Sequence, residues 1–531
     1  LEILPVINEL VYNAGNSAST GILVANITVR AARIGEQSKE IFKGILDPDT
    51  KIKIEVYDRL AIDIETLARD LDFLKTEKTW QTFSAKGGPA FGWDTKQLLP
   101  IASLIRQSED LLGYKSKKVY LILFQNNMEL RATGGFIGSF GLMTLEQGKL
   151  VNFEVQDVYA ADGQLKGHVD PPEKLREHLG EANWYLRDSN WDPDFPTSAQ
   201  RAEWFLDKEM NVRVDGVLAV DLFTVKDLLG VVGNIKIPDF NVTVDKNNFY
   251  EKTQFYAENN FFPGSSQKKD FLTAVSKELM EKLRESGDNA IIIARTLSSS
   301  FSGRHIIGYL HNKQAQSTLS QIGWDGGLKN AKCPMPSANL VPSAQCLTDY
   351  LMVVDSNVGV NKANYGLARS FLLNTQIEKD NLIHELSIAY LNKSDAENGY
   401  KNYLRIYTPN NATLISATIL DPATNLDSKE LSIDNYQEHD KAVFGTLVEI
   451  PRGESRQIII RWNIPNTTNT QSLTFLWQKQ PGTGEDPVNI LFKSDNFKIY
   501  LAPAASLTQG GVVGYNTTFS GDLQINAGWS Q

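Results

Sequence analysis

The chain has 531 residues, 42% of them hydrophobic and 22% charged, enough for buried cores and for two to four domains. Its net charge of −10 lacks the basic footprint that general nucleic-acid binding needs, so no nucleic-acid partner is expected. No run of about 18 apolar residues occurs, so membrane association is expected only through a segment preceding Leu1.

Residues 1–115 read as a helical bundle or stalk. After a helix in IGEQSKEIFKGI and a break at Asp47-Pro48-Asp49, the stretch YDRLAIDIETLARDLDFLKTEKTWQTF sets Leu60, Ile64, Leu67, Leu71 and Leu74 on one helical stripe. A third helix, TKQLLPIASLIRQSEDLLG, contains Pro100. Residues 116–372 read as an α/β domain. KVYLILFQ is a continuous apolar run, as a buried central strand requires. FIGSFGLMTLEQGKLVNFEVQDVY gives two strands around Glu146-Gln147-Gly148. PPEKLREHLG is a short helix, and TSAQRAEWFLDKEM a longer one whose Thr197 and Gln200 have capping-box spacing. The strand VDGVLAVD, the helix LFTVKDLLG, the helix FLTAVSKELMEKLRES, the strand RHIIGYLHN and the helix KQAQSTLSQIGW follow. That rhythm predicts a mixed sheet covered by helices. Residues 373–503 turn to short alternating strands punctuated by Gly, Pro, Asn and Asp, which predicts an immunoglobulin-like β-sandwich. Residues 504–531, rich in Gly and Thr, read as a tail: an edge strand, an extension onto a neighbour or a partly ordered end.

Cys333 and Cys346 are the two cysteines, 13 positions apart beside Pro334 and Pro342. A disulfide closing this short loop is expected, of the kind secreted proteins keep. No His or further Cys lies at zinc-ligand spacing.

The chemistry-bearing stretch is Asn126–Tyr159 together with Arg187–Asp194. Glu129, Arg131, Asp157, Arg187, Asp188 and Asp194 sit at the ends of apolar runs, and Gly134-Gly135 lets backbone come close to a binding partner. There is no phosphate loop and no zinc helix, and Ile137 breaks the nucleophile-elbow pattern, leaving Ser139 a strand residue. Arg131, Arg187, Asp157, Asp162, Asp188, Asn190, Asp192 and Asp194 are expected to converge at one sheet edge. Arginine forks suit phosphate oxygens, and carboxylates with an Asn suit a Mg²⁺ bridging a pyrophosphate. The competing reading is internal: an Arg187–Asp188 salt bridge, with Asp192–Asp194 capping the next helix.

ELRATGGFIGSFG, RDSNWDPDFPTSA and VDSNVGVNKANY resemble the bacterial domain of unknown function 4012 over roughly residues 118–372. That domain is in turn similar, distantly, to the LytR–CpsA–Psr phosphotransferase domain, through KVYLILFQNNMELRATGGFIGSFG at its opening and SAQRAEWFLDKEMNVRVDGVLAVDLFTVKDLLG at its close. The resemblance implies an α–β–α sandwich in an extracytoplasmic cell-envelope protein. It implies a polyprenyl-pyrophosphate-linked glycan held in an apolar pocket, with Mg²⁺ and arginines on the pyrophosphate, and transfer to the cell wall. Carried over by position, Arg131 is the first pyrophosphate arginine, and Arg187 and Asn190 are further phosphate contacts. Asp157 is the second motif's carboxylate, while Asp162, beside it at the metal, or Asp188, as a catalytic acid, would stand in for the acid that the motif lacks here. The chain departs from the motif at Ala132-Thr133, where its Asp is missing, and at Gln156, which replaces its arginine in the substrate site.

Two functions follow as expectations. The first is a lipid-linked glycan binder or transferase, with a tunnel lined by Phe136, Ile137, Leu142, Phe205 and Leu218 that opens at Arg131 and Arg187. The alternative is a non-catalytic surface protein, self-assembling as a homo-oligomer through residues 373–531.

Overall fold

The computed structural model describes residues 18–47, 49–76, 95–258, 267–333, 346–422, 428–467 and 470–530. Pro48 and the end of the second expected helix lie outside them. The amino-terminal helices are α1 (Ala18–Leu46), α2 (Glu55–Thr76), α3 (Thr95–Arg106) and α4 (Ser108–Leu111). The stripe Leu60, Ile64, Leu67, Leu71 and Leu74 is buried against Val24, Ile27 and Ile34 of α1 and against Leu98 and Ala102 of α3. Apolar burial at helical spacing thus builds this bundle, as its periodicity requires.

The α/β domain follows with β1 (Lys118–Asn126), β2 (Phe136–Glu146), β3 (Lys149–Asp157), α5 (Val158–Asp162), α6 (Glu173–Leu179), α7 (Phe195–Met210), β4 (Gly216–Asp221) and α8 (Leu222–Val232). A small hairpin, β5 (Ile235–Ile237) and β6 (Val242–Val244), precedes α9 (Phe249–Glu258), α10 (Gln267–Glu285), α11 (Ala290–Ser302), β7 (Ile306–Leu310) and α12 (Lys313–Ile322). The sheet order is β3-β2-β1-β4-β7. β1 runs parallel to β4 and antiparallel to β2. Because β1 is central, both its faces are covered: Leu121 and Leu123 pack toward α7, while Tyr120 and Ile122 pack toward α8–α10. This is why KVYLILFQ is apolar throughout. α7 starts two residues before the expected capping box. Asp194 is its N-cap, its Oδ2 accepting from the Thr197 N–H at 3.2 Å, and Pro196 sits in the first turn.

The carboxy-terminal region consists of two stacked sheets over one apolar core. Its strands are β8 (Leu347–Val354), β9 (Leu367–Ile377), β10 (Asn381–Asn392), β11 (Tyr400–Pro409), β12 (Thr413–Leu420), β13 (Lys429–Glu430), β14 (Asp434–Glu438), β15 (Lys441–Ile450), β16 (Ser455–Pro465), β17 (Ser472–Gln478), β18 (Asp486–Lys493), β19 (Lys498–Ala502), β20 (Leu507–Gln509), β21 (Val512–Phe519) and β22 (Leu523–Ser530). Among the described residues one sheet has eight strands, β13-β12-β16-β10-β9-β18-β21-β20, and the other seven, β14-β15-β11-β8-β17-β22-β19. Parallel pairing of β8 with β17, and of β9 with β18, joins the first strands of the sandwich to its later ones.

Two expected boundaries move. The division at residues 372/373 falls inside the sandwich, because β8 already pairs there with β11 and β17. The expected tail supplies β20, β21 and β22, and Phe519, Ile525, Ala527 and Trp529 enter the core. Cys333 and Cys346 form the expected disulfide, with Cα atoms 5.8 Å apart. No helix among the described residues is long and apolar enough to cross a membrane.

Candidate binding site

The expected anion site lies at the seam between the α/β domain and the sandwich, and its charges are already engaged. Arg131 is 2% exposed. Its Nη2 donates to Glu129 Oε1 at 2.8 Å, its Nη1 donates to the Asn357 carbonyl, and its face lies over Phe136. Its own carbonyl accepts from Gln480 Nε2 at 3.1 Å. Arg131 is therefore committed to the sandwich, not turned to a phosphate. Gly134-Gly135 does admit a close backbone, but that backbone is the chain's own. A Cβ on Gly135 would lie 2.3 Å from the Asn126 carbonyl carbon, and one on Gly482 would meet the Gly134 carbonyl oxygen at 2.0 Å.

Arg187 is similarly taken. It donates to Asp162 Oδ2 at 2.8 Å and pairs with Glu181 at 3.0 Å and Asp188 at 3.4 Å. Tyr185 and Tyr159 flank its guanidinium. The Arg187–Asp188 pair is thus the internal salt bridge of the competing reading. Burial pushes Asp162 up to about 6 and raises Asp188 as well. Burial, aided by the Asp162 charge, pushes Glu209 up to about 8. Asn190 donates to the Gly135 carbonyl at 2.8 Å.

The expected Mg²⁺ ligands do not converge. Asp157 is the N-cap of α5, accepting from the Tyr159 N–H at 2.8 Å, whereas Asp162 ends the same helix, about 7.5 Å of rise away. Among the described residues neither joins a group able to hold a metal. Gln156 points to Glu154 at 2.9 Å on the strand edge. The expected tunnel is absent at its expected place: Ile137 and Phe205 are fully buried in the close-packed face beneath α7.

Space is left on the opposite face. A cavity of about 160 Å³ lies between the sheet and α8–α10. Phe124, Val220 and Ser139 form its floor; Leu228, Phe249, Phe271 and Leu279 are among the residues that close it. It sits at the carboxyl ends of the parallel strands β1 and β4, where open α/β sheets place ligands. Among the described residues Asp221 is the one charged residue in its wall. That carboxylate N-caps α8 through the Thr224 N–H and pairs with His305 Nδ1 at 2.6 Å. A second space of about 420 Å³, a groove between β3 and α10, adjoins it. Phe153, Ser276 and Met280 border both. Met280 is an unbranched side chain able to re-pack there. Sequence reasoning missed this site. Its one signal is a run of small residues, Gly138, Ser139 and Gly141, on a strand whose neighbours are large.

Fold and site together define an α/β domain with a small apolar cavity, buttressed by a β-sandwich. Residues 115–256 match the family described as "Protein of unknown function (DUF4012)". No curated protein matches the chain. Among solved structures it is similar to a putative nutrient binding protein from Legionella pneumophila, at 7% identity and TM-score 0.26, over 34% of this chain and 71% of that one. It is similar to leukotriene A4 hydrolase from Saccharomyces cerevisiae at 9% identity and TM-score 0.22, over 31% of this chain and 29% of that one. It is also similar to an M1 zinc metallopeptidase from Deinococcus radiodurans at 10% identity and TM-score 0.19, over 31% and 42% of the two chains. At these scores the likeness carries no argument about function.

Proposed function

We propose that this is an extracytoplasmic cell-envelope protein whose α/β domain binds an apolar chain. The polyprenyl chain of a lipid-linked glycan is the ligand that the family resemblance favours. The apolar cavity beneath α8–α10 is the observation that carries this reading. Among the described residues its wall holds no Lys or Arg, so it suits hydrocarbon and not a buried pyrophosphate. An engineered apolar cavity of about 150 Å³ takes benzene, so about one isoprene unit enters here. The rest of the chain runs along the groove of about 420 Å³, past the exposed Lys277. The protein binds and does not transfer, because Arg131 and Arg187 are spent on its own carboxylates and carbonyls. The disulfide supports the extracytoplasmic placement, since such bonds persist in oxidising compartments.

The test is mass spectrometry of lipid extracted from protein purified with its membranes, wild type beside Ser276→Trp, which fills the border of both spaces. A polyprenyl phosphate should accompany the wild type and be absent from the variant. No lipid in the wild type, or equal amounts in both, overturns the reading and leaves a purely structural surface protein.

A further inference from the structure

We propose that Asp192, Glu438 and His439 form a divalent-cation site that ties the α/β domain to the sandwich. Asp192 belongs to the turn before α7, and Glu438 and His439 to the tip of the β14–β15 hairpin. One ligand atom from each residue lies within 4.8 Å of the others. His439 Nε2 is 2.8 Å and 2.9 Å from the two oxygens of Asp192.

The carboxylates are held from behind. Tyr407 donates its hydroxyl to Glu438 Oε2 at 2.5 Å, and the Asp194 N–H donates to Asp192 Oδ1 at 2.8 Å. Such outer contacts orient metal ligands in established sites. The hairpin turn contributes too: His439 and Asp440 both take left-handed φ, 51° and 57°, which carries the ring across to Asp192.

Charge argues in the same direction. Asp194 and Glu438 add their charges to that of Asp192 around the ring. The buried Arg405 lies close enough to offset part of the charge of Asp192 and Glu438, but its hydrogen bonds, like those of Lys441, go to other groups. Arg405 donates to the Trp191 carbonyl, Ser356 Oγ and Tyr407, and Lys441 donates to Asn330. A protonated His439 pairs with Asp192, and Glu438 is then held by the Tyr407 hydroxyl. A cation uses all three. One imidazole with two carboxylates suits Zn²⁺ or Mn²⁺ better than Ca²⁺ or Mg²⁺, which prefer oxygen alone. Three protein ligands leave a position for water or a ligand atom.

The test is calorimetric titration of the chelator-treated full chain with ZnCl₂ and with MnCl₂, wild type beside Glu438→Gln and Asp192→Asn. Circular dichroism confirms that each variant is folded. Glu438→Gln keeps the His439–Asp192 pair, so it separates a cation site from an ion pair. We expect one saturable equivalent of Zn²⁺ or Mn²⁺ in the wild type and affinity at least tenfold weaker in Glu438→Gln. Co²⁺ should give a d–d absorption band that the same variant loses. No saturable binding in the wild type, or binding unchanged in Glu438→Gln, overturns the proposal. Should that variant misfold, Asp192→Asn decides in the same way.

Discussion

The two faces of the five-stranded sheet are built from equally apolar residues and end in opposite states. Beneath α7, Phe195, Ala199, Ala202, Phe205 and Leu206 close completely over Leu121, Leu123 and Val217. The charged groups at that end of the sheet are matched by partners within the chain. Beneath α8–α10, Phe249, Phe271, Val275 and Leu279 stand over Phe124, Ser139 and Val220, and the layer does not fill. The charged face is where ligand chemistry is expected from sequence, yet it acts as a joint. The quiet face keeps the space. Charge at the end of an apolar run marks a buried polar partner, and only three-dimensional packing says whether that partner is a ligand or the protein itself.

The largest effect tests the joint. Arg131→Ala strands Glu129 and the Asn357 carbonyl, and should cost about 3–5 kcal/mol in urea unfolding, as for a broken buried ion pair. An arginine reserved for a ligand would instead leave stability unchanged. Next comes packing. Ala202→Leu, on the closed face, should cost about 1–3 kcal/mol through overpacking, whereas Ser276→Leu should cost less than about 1 kcal/mol because the added atoms enter existing space. Equal penalties would mean that the two faces are packed alike. A smaller effect of opposite sign follows at Thr253, whose buried Oγ1 has no hydrogen-bond partner among the described residues. Thr253→Val should raise stability by about 1 kcal/mol, and a loss would show that the cavity is polar in solution.

The helices and central strands were legible because their signals are local. The stripe from Leu60 to Leu74, the run KVYLILFQ of β1 and VDGVLAVD of β4 each announce their burial within a few residues. The sandwich boundary was not legible: β8 lies between β11 and β17, partners more than 50 and 120 positions away. Arg131 illustrates the same limit. Its fork is matched by Asn357, 226 residues later. A cavity is harder still, since it is the absence of atoms left by several helices at once. Of the candidate site, sequence therefore exposed residues that are buried and charged, but neither their partners nor the space on the far face.

The finest test uses pH. Glu209 lies behind Arg187, accepting weakly from the Leu186 N–H at 3.3 Å. Burial, with the charge of Asp162, holds its pKa near about 8, and burial holds Asp162 near about 6. Unfolded, these groups titrate near about 4.3 and about 3.9. The native state therefore binds more protons between those limits, and stability must fall as pH rises. The contribution is complete below about pH 4; the Asp162 share is lost as pH rises through about 6, and the Glu209 share through about 8. The urea midpoint should accordingly be higher at pH 5.5 than at pH 8.5. Glu209→Gln, neutral at every pH, should remove the slope between about pH 6 and 8 and roughly halve it between about pH 4 and 6, where Asp162 still contributes. If the slope survived intact, Glu209 would be ionised in the fold, and the closed face would carry an uncompensated charge that a ligand or cation could still claim.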